Sequence, residues 1–264
     1  PRPVPKSGQP WIAGFLEQSP LLRHFQVLGW RPLLEERWPT LDEYSAFVES
    51  ERQARASDLP AVRFAPPAPR PRRARRSQAV ELNQLYDARI ALQREVPCLT
   101  SCYHDLLNVL AWAAFPRAKR ALHARQYRAL TTWLPAQGSR LPNRRTREQD
   151  ALTLFDEGGS VLVATPDLVQ RLATTEPRTL PLEEEPGGRV VLFGHAVMEH
   201  IVRYQTPVRS AALLIAAEAP LPEGRGLLDL VDQELQRRLL DDGQFQEPSP
   251  YRVLSIQPPG AAWV

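Results

Sequence analysis

Apolar residues recur with helical spacing through much of the first half of the chain. Thr40 and Glu43 have the spacing of a capping box, and the apolar positions that follow them repeat every three to four residues. The same periodicity predicts helices over 79–94, 103–115 and 116–130. The second of these is apolar on nearly every side, so we expect it in the centre of the protein.

The pattern changes near residue 150, where short apolar runs replace the helical repeats. The runs 151–155 and 160–164 are separated by Asp156, Glu157 and two glycines. Two short apolar runs with a turn sequence between them predict a β-hairpin, with Asp156 and Glu157 as turn residues.

Strands and helices alternate in the rest of the sequence. The predicted elements are a short helix from Thr165, a strand over 189–193, a helix over 195–204, an ambiguous apolar segment over 208–217, a helix over 227–240 and an extended end over 248–264. This order predicts an α+β fold that is predominantly helical and has a small sheet containing the β-hairpin. We expect residues 1–264 to form a single domain.

A segment rich in proline and arginine, at about 59–77, interrupts the pattern and ends in the basic run Arg70–Arg76. Its prolines exclude a regular helix or a central strand. One interpretation is an arm that binds nucleic acid or another polyanion, because phosphate contacts depend on clustered cations. The other is a solvated connector, which we favour because no aromatic residues interleave with the arginines to stack on bases.

The overall composition is that of an ordinary soluble chain. With 43% hydrophobic and 24% charged residues among 264, disorder and fibrous structures are disfavoured. Cys98 and Cys102 form no disulfide framework, their spacing differs from that of redox pairs, and no apolar run approaches the roughly 20 residues that cross a bilayer. We expect a cytoplasmic bacterial protein with free thiols and no membrane partner.

Signatures of the common nucleotide-binding and hydrolase scaffolds are missing, including the Walker loop, GxGxxG, GxSxG and HExxH. What remains is a set of polar residues in apolar segments. His104, Asp105 and Asn108 lie near the start of the most apolar helix. Burial without hydrogen bonds would cost about 1–3 kcal/mol for each, so they either satisfy one another and nearby backbone or line a site.

A second cluster follows the strand predicted over 189–193. His195 and Glu199 are four residues apart and share a helix face, whereas His200 is turned away. An imidazole and a carboxylate on one face can bind a metal, form an acid–base pair, or simply bond to each other. Asp150 is a further candidate, because it directly precedes an apolar run predicted as a strand.

Five short motifs occur in the same order as in a bacterial family of unknown function, the domain of unknown function numbered 3025. They lie at 103–108, 112–119, 150–157, 193–199 and 259–263. The chain therefore resembles that family over most of its length. The resemblance implies no reaction, cofactor or partner, and the chain departs from the family pattern at 98–102 and at 208–212, where an expected histidine is absent.

Our leading hypothesis is an enzyme whose site lies between the central helices and the sheet. Its predicted catalytic residues are His104, Asp105, Asn108, Asp150, His195 and Glu199. Those expected to bind a divalent metal ion are His104, Asp150, His195 and Glu199. Those expected to bind an anionic, phosphoester-like substrate for metal-assisted hydrolysis are Arg117, Lys119 and Arg147.

The alternative hypothesis is a non-catalytic binding or regulatory protein. The same polar residues would then form a buried network of satisfied hydrogen bonds that fixes the fold. Arg70–Arg76 and the basic helix over 116–130 would contact nucleic acid or an acidic partner.

Overall fold

The computed structural model describes residues 8–30, 35–68, 85–133, 145–173, 187–204, 207–248 and 252–256. Helices dominate these ranges. The longer helices are α1 (Leu41–Arg55), α2 (Tyr103–Ala114), α3 (Pro116–Trp133), α4 (Arg147–Gly158), α5 (Pro166–Ala173), α6 (His195–Tyr204) and α7 (Gly224–Leu240). Shorter helical segments are Phe15–Glu17, Arg23–Leu28, Tyr86–Ala88 and the π-helical turn Arg89–Gln93.

Two small sheets accompany the helices. Their strands are β1 (Arg63–Ala65), β2 (Glu95–Pro97), β3 (Gly159–Ala164), β4 (Gly188–Leu192), β5 (Val208–Ala216) and β6 (Arg252–Ile256). β1 pairs with β2 in parallel, and the larger sheet has the order β4-β3-β5-β6. Within it β3 and β5 are parallel and both outer strands are antiparallel to their neighbours. The predicted α+β class with mostly helical content is confirmed.

α2 lies in the centre of the core, as its apolar sequence predicts. Residues 106–116 are all buried. α1 and α6 pack against α2, while α3 packs against α7. This arrangement puts the start of α2 next to α6, because the two helices share a long contact.

Most of the helices predicted from periodicity are present. α1 begins at Thr40 with the predicted capping box to Glu43, and α2, α3, α5, α6 and α7 occupy the predicted segments. The ambiguous segment over 208–217 is strand β5, and the predicted extended end contains β6. Of the helix predicted over 79–94, the described part begins at Tyr86.

The predicted β-hairpin over 151–164 is wrong, because residues 151–155 belong to α4. A short apolar run fits both periods, and here the helix cap decides between them. Thr146 and Gln149 form a capping box, and buried residues then recur at helical spacing, at Ala151, Leu152 and Phe155. β3 pairs instead with β4 and β5.

Two charged side chains close the break between α2 and α3 at Pro116. Arg55 donates to the last two carbonyl groups of α2, at 3.0 and 2.9 Å. Asp232 accepts from the N–H groups of residues 117 and 118, at 3.0 and 2.8 Å. Each charge has the sign that the helix end it meets favours, because helix C-termini carry partial negative and N-termini partial positive charge.

Part of the predicted connector at 59–77 is strand β1, whose short length and two-stranded sheet are compatible with the neighbouring prolines. Arg70–Arg76 and the motif at 259–263 lie outside the described residues. Among the helices that are described, none is long and apolar enough to cross a membrane.

Candidate metal centre

Two glycines bring the end of α4 against the start of α6. The carbonyl oxygen of Gly159 accepts from the N–H of Gly194 at 2.8 Å. A Cβ atom on Gly194 would lie 2.4 Å from the nitrogen of Gly159 and 2.5 Å from the carbonyl oxygen of Glu157. No side chain fits at that distance, so glycine at 194 permits the approach. The contact sets Glu157, near the end of α4, beside His195, the first residue of α6.

Two imidazoles and a carboxylate converge at this junction. Nε2 of His104, from the first turn of α2, lies 3.1 Å from Nε2 of His195. An oxygen of Glu157 lies 3.4 Å from Nε2 of His195 and 3.9 Å from Nε2 of His104. All three ligand atoms therefore lie within 4.8 Å of one another.

These separations suit a small divalent cation. Ligand atoms about 2.0–2.1 Å from a tetrahedral ion lie about 3.3 Å apart. The distances from His195 to His104 and to Glu157 come within a few tenths of an ångström of that value, and the third is somewhat longer. The Glu157 side chain is 43% exposed, so a small rotation is enough to bring its oxygen to the ideal separation.

Glu199 contacts the His104 imidazole at Nδ1, the nitrogen that does not face His195. One of its carboxylate oxygens is 3.1 Å from Nδ1 of His104, and the other accepts from Arg203 at 2.9 Å. Because a carboxylate accepts, Nδ1 of His104 carries the proton and Nε2 faces His195. A carboxylate on the rear nitrogen of a ligating histidine is the usual outer-shell arrangement at metal sites.

The two imidazoles experience different electrostatic environments. Burial alone would lower the pKa of His104, but the hydrogen bond to Glu199 and the charges of Glu157 and Asp105 outweigh it and raise the pKa above its ordinary value. His195 is only 4% exposed, and burial lowers its pKa well below the ordinary value. His195 is therefore neutral near pH 7, the state in which imidazole binds a metal.

Of the predicted site residues, the structure brings His104, His195 and Glu199 together, but not Asp105 or Asn108. The Asp105 carboxylate accepts from the backbone N–H of Leu99 at 2.7 Å. Asn108 lies one turn further along α2, buried, and donates to Tyr86 at 3.1 Å. Asp105 thus shapes the segment that leads into α2, and Asn108 lies in the interior behind the triad.

Asp150 lies away from the triad, and Glu157 takes the place predicted for it. Asp150 is exposed in the first turn of α4, about two turns from Glu157. The error follows from the wrong strand at 151–155, which made Asp150 the end of a strand and Glu157 a turn residue. The capping spacing of Thr146 and Gln149 is the sequence signal that indicates the helix.

The three cations predicted to bind substrate contact other partners. Arg117 forms two bonds to Asp58, at 2.6 and 2.9 Å. Arg147 pairs with Glu247 at 2.6 Å. Lys119 is fully buried and pairs with Asp156 at 2.5 Å. Asp156 is thus a core residue and not a turn residue, because α4 continues through it.

The fold and this cluster define a helix-dominated α+β protein with a candidate metal-binding triad. The chain belongs to the family described as "Protein of unknown function (DUF3025)", whose profile matches residues 74–258. His104, Glu157, His195 and Glu199 all lie within the matched range. No curated protein and no solved structure significantly matches the chain.

Proposed function

We propose that the protein is a metal-dependent hydrolase whose metal ligands are His104, Glu157 and His195. The observation that carries the proposal is the 3.1 Å separation of the two imidazole Nε2 atoms, with a carboxylate oxygen beside them. Two nitrogen lone pairs repel at this distance, so either a cation or a shared proton must lie between them. A divalent cation binds all three ligand atoms directly, whereas a shared proton bonds only to the two nitrogens and attracts the carboxylate through the ring charge alone.

The ligand set supports hydrolysis. Two histidines and one glutamate are the protein ligands of several catalytic zinc sites, and the fourth position holds water whose pKa falls to about 7. A metal ion held by His104, Glu157 and His195 would supply such a water for attack on the substrate, and the proton of that water would pass to the leaving group as its bond breaks. The exposed side of the triad, at His104 and Glu157, gives substrate access.

An anionic, phosphoester-like substrate fits the local field. His104 and His195 lie in the first turns of α2 and α6, so two helix N-termini, which favour anions, meet at the triad. Arg203, which bonds to Glu199, places a guanidinium at the edge of the site. These groups replace Arg117, Lys119 and Arg147 in the proposal.

Elemental analysis after loading with zinc, manganese or iron(II) tests the metal centre. We expect about one ion per wild-type chain and loss of that ion from the double variant His104→Ala, His195→Ala and from Glu157→Gln. His200→Ala is the matched control, because His200 also lies on α6 but its ring packs beside that of Tyr204, with centroids 5.2 Å apart, and it is not one of the three residues of the triad. Wild-type protein without stoichiometric metal, or a double variant that retains it, would refute the centre.

Hydrolysis is tested separately on the loaded protein. Phosphomonoesters, phosphodiesters and carboxylic esters are compared with and without a chelator. We expect phosphoester cleavage that disappears with the chelator and in Glu157→Gln but persists in His200→Ala. Stoichiometric metal without cleavage of any of these substrates would contradict the hydrolase and leave a metal-binding protein.

A further inference from the structure

A buried polar face runs inward from the triad along α2. His104, Asn108 and Trp112 follow one another at four-residue intervals and so lie on the same side of the helix. Lys119 and His123 of α3 meet this face. The Trp112 and His123 rings are nearly parallel, with centroids 5.5 Å apart, and Nζ of Lys119 is 5.8 Å from the Trp112 ring centroid.

Several polar atoms in this interior have no hydrogen-bond partner from the protein. Asn108 Oδ1, Trp112 Nε1, His123 Nε2 and His195 Nδ1 are buried and meet no hydrogen-bond partner among the residues that the structure describes. The four residues are 5% exposed or less. Each such atom costs about 1–3 kcal/mol unless it is satisfied, and native proteins satisfy such groups with ordered water.

The Lys119–Asp156 pair has hydrogen-bonding capacity to share with such water. The ammonium offers three protons and uses one on Asp156, and the carboxylate has further lone pairs. Nζ of Lys119 lies 5.8 Å from the Trp112 ring centroid and 5.6 Å from that of Phe193, two residues before His195, so the pair lies among these groups. Water inside proteins is found where several donors and acceptors, rather than apolar groups, meet.

We propose that this interior is a binding site for ordered water, and that this water joins Nδ1 of His195 to the carboxylate of Asp156. Asp156 is then a positioning residue, and Lys119 anchors it. With water accepting from Nδ1–H, the proton stays on Nδ1 and the lone pair stays on Nε2, which faces the triad. For His104 the corresponding contact is direct, because its Nδ1 bonds to Glu199. Each imidazole is then linked through Nδ1, the nitrogen that does not face the triad, to a carboxylate.

The inference deepens the proposed metal centre without depending on it. If a metal binds, Nε2 of His195 is a ligand and Nδ1 carries the proton. If no metal binds, the proton between the two Nε2 atoms belongs to His104 or to His195, and water that accepts from Nδ1–H of His195 favours the form in which His104 donates it. The tautomer of His195 therefore tests the water site whether or not a metal binds.

Long-range proton–nitrogen NMR of protein labelled with ¹⁵N-histidine, recorded in the presence of a chelator, reads this tautomer. In the wild type we expect His195 with a protonated Nδ1 and an unprotonated Nε2. In Lys119→Met, Asp156→Leu, which replaces the pair by apolar side chains of similar size, we expect a mixture of tautomers. Asp150→Leu, at the exposed start of α4, is the control and should keep the wild-type spectrum.

Either of two results would overturn the inference: a wild-type His195 protonated on Nε2, or a spectrum unchanged by loss of the pair. A high-resolution crystal structure adds a direct check, since it should show water within hydrogen-bond distance of both Nδ1 and Asp156. Metal titration then reports on the proposed function separately, because loss of an outer-shell partner should weaken metal binding about 10–100-fold. A wild type that shows the expected tautomer but binds no metal refutes the metal centre alone.

Discussion

Lys119 places a positive charge in the core with no exposed surface. Its ammonium bonds to Asp156 and lies 5.6 Å from the Phe193 ring centroid. Burial alone would raise the pKa of Asp156, but the positive charge of Lys119, the strongest of the opposing influences, outweighs it and holds the pKa well below its usual range. The carboxylate is therefore ionised at neutral pH, and each partner makes burial of the other tolerable.

Removing one partner of the Lys119–Asp156 pair should lower the free energy of unfolding more than removing both. Lys119→Met leaves a buried carboxylate without its cation, so we expect it to lower the free energy of unfolding by about 3–5 kcal/mol. Lys119→Met, Asp156→Leu should cost clearly less than the two single changes added together. Urea unfolding at pH 7 measures Lys119→Met, Asp156→Leu alone and the double variant.

The exposed pair Arg147–Glu247 provides a matched control, since its side chains are 76% and 42% exposed. A cycle of Arg147→Met and Glu247→Leu should show a coupling of about 0–1 kcal/mol. Coupling between Lys119 and Asp156 that is no larger than this would contradict a tightly coupled buried pair.

At the residue scale, His104, His195 and Glu199, which the sequence analysis assigns to one site, lie in contact, and their roles stay predictions. Each lies on a helix with clear periodicity, and His195 and Glu199 share a face by spacing alone. Glu157 escapes prediction because its position depends on the structure assigned to 151–155. The contact at Gly194 that sets Glu157 beside His195 joins segments that are far apart in the sequence. Rules based on residue spacing within one helix or strand therefore cannot predict it.

Among the elements, the break between α2 and α3 has the sharpest electrostatic consequence. Asp232, on α7, is 3% exposed and accepts from the first free N–H groups of α3. Burial raises its pKa to about 7, despite those two hydrogen bonds and the nearby Arg55 and Arg117. The ionised form of Asp232 is thus disfavoured in the folded protein relative to the unfolded chain.

Stability should accordingly fall as pH rises through the range in which Asp232 ionises. A raised pKa in the folded state gives a contribution that is complete below the unfolded value near 3.8 and is lost as pH passes about 7. Between pH 5 and pH 8 the wild type should lose about 2–3 kcal/mol of unfolding free energy relative to Asp232→Asn. Urea unfolding of both proteins at the two pH values checks this, and parallel pH profiles would contradict it.

Element boundaries are predictable where caps and periodicity agree, as at Thr40 for α1 and Pro116 for α3. They fail where a short apolar run fits two periods and the cap is overlooked, as at 151–155. The order of strands in the larger sheet is not readable from the sequence either. Pairing of β3 with both β4 and β5 depends on how the helices between them pack.

For the whole molecule, the part of the chain before the family match belongs to the same core. Phe25 packs against Phe115, at the end of α2, with ring centroids 6.4 Å apart. Tyr44 of α1 has no exposed surface, and Arg55 closes the end of α2. The family match begins at residue 74, after Phe25, Tyr44 and Arg55.

A fragment of residues 74–264 should therefore not fold cooperatively. It would expose the apolar sides of α2 and leave the last carbonyl groups of that helix without Arg55. We expect no cooperative transition in urea and strong binding of a hydrophobic dye. A fragment of residues 8–264, which keeps every contact described here, is the control, and a sharp transition in the shorter fragment would contradict the expectation.

The two charges at the Pro116 break also constrain the order of events during synthesis. Arg55 and Asp232 reach the break from 58 and 115 residues away along the chain. Arg55 is made before α2, but Asp232, which accepts from the start of α3, and α6, which packs against α2, leave the ribosome much later, so the most apolar helix of the protein waits with part of its surface uncovered. Nascent chains that expose such surface are prone to aggregate and depend on chaperones. Production at low temperature or with added chaperones should accordingly raise the yield of folded protein more than any change at the triad.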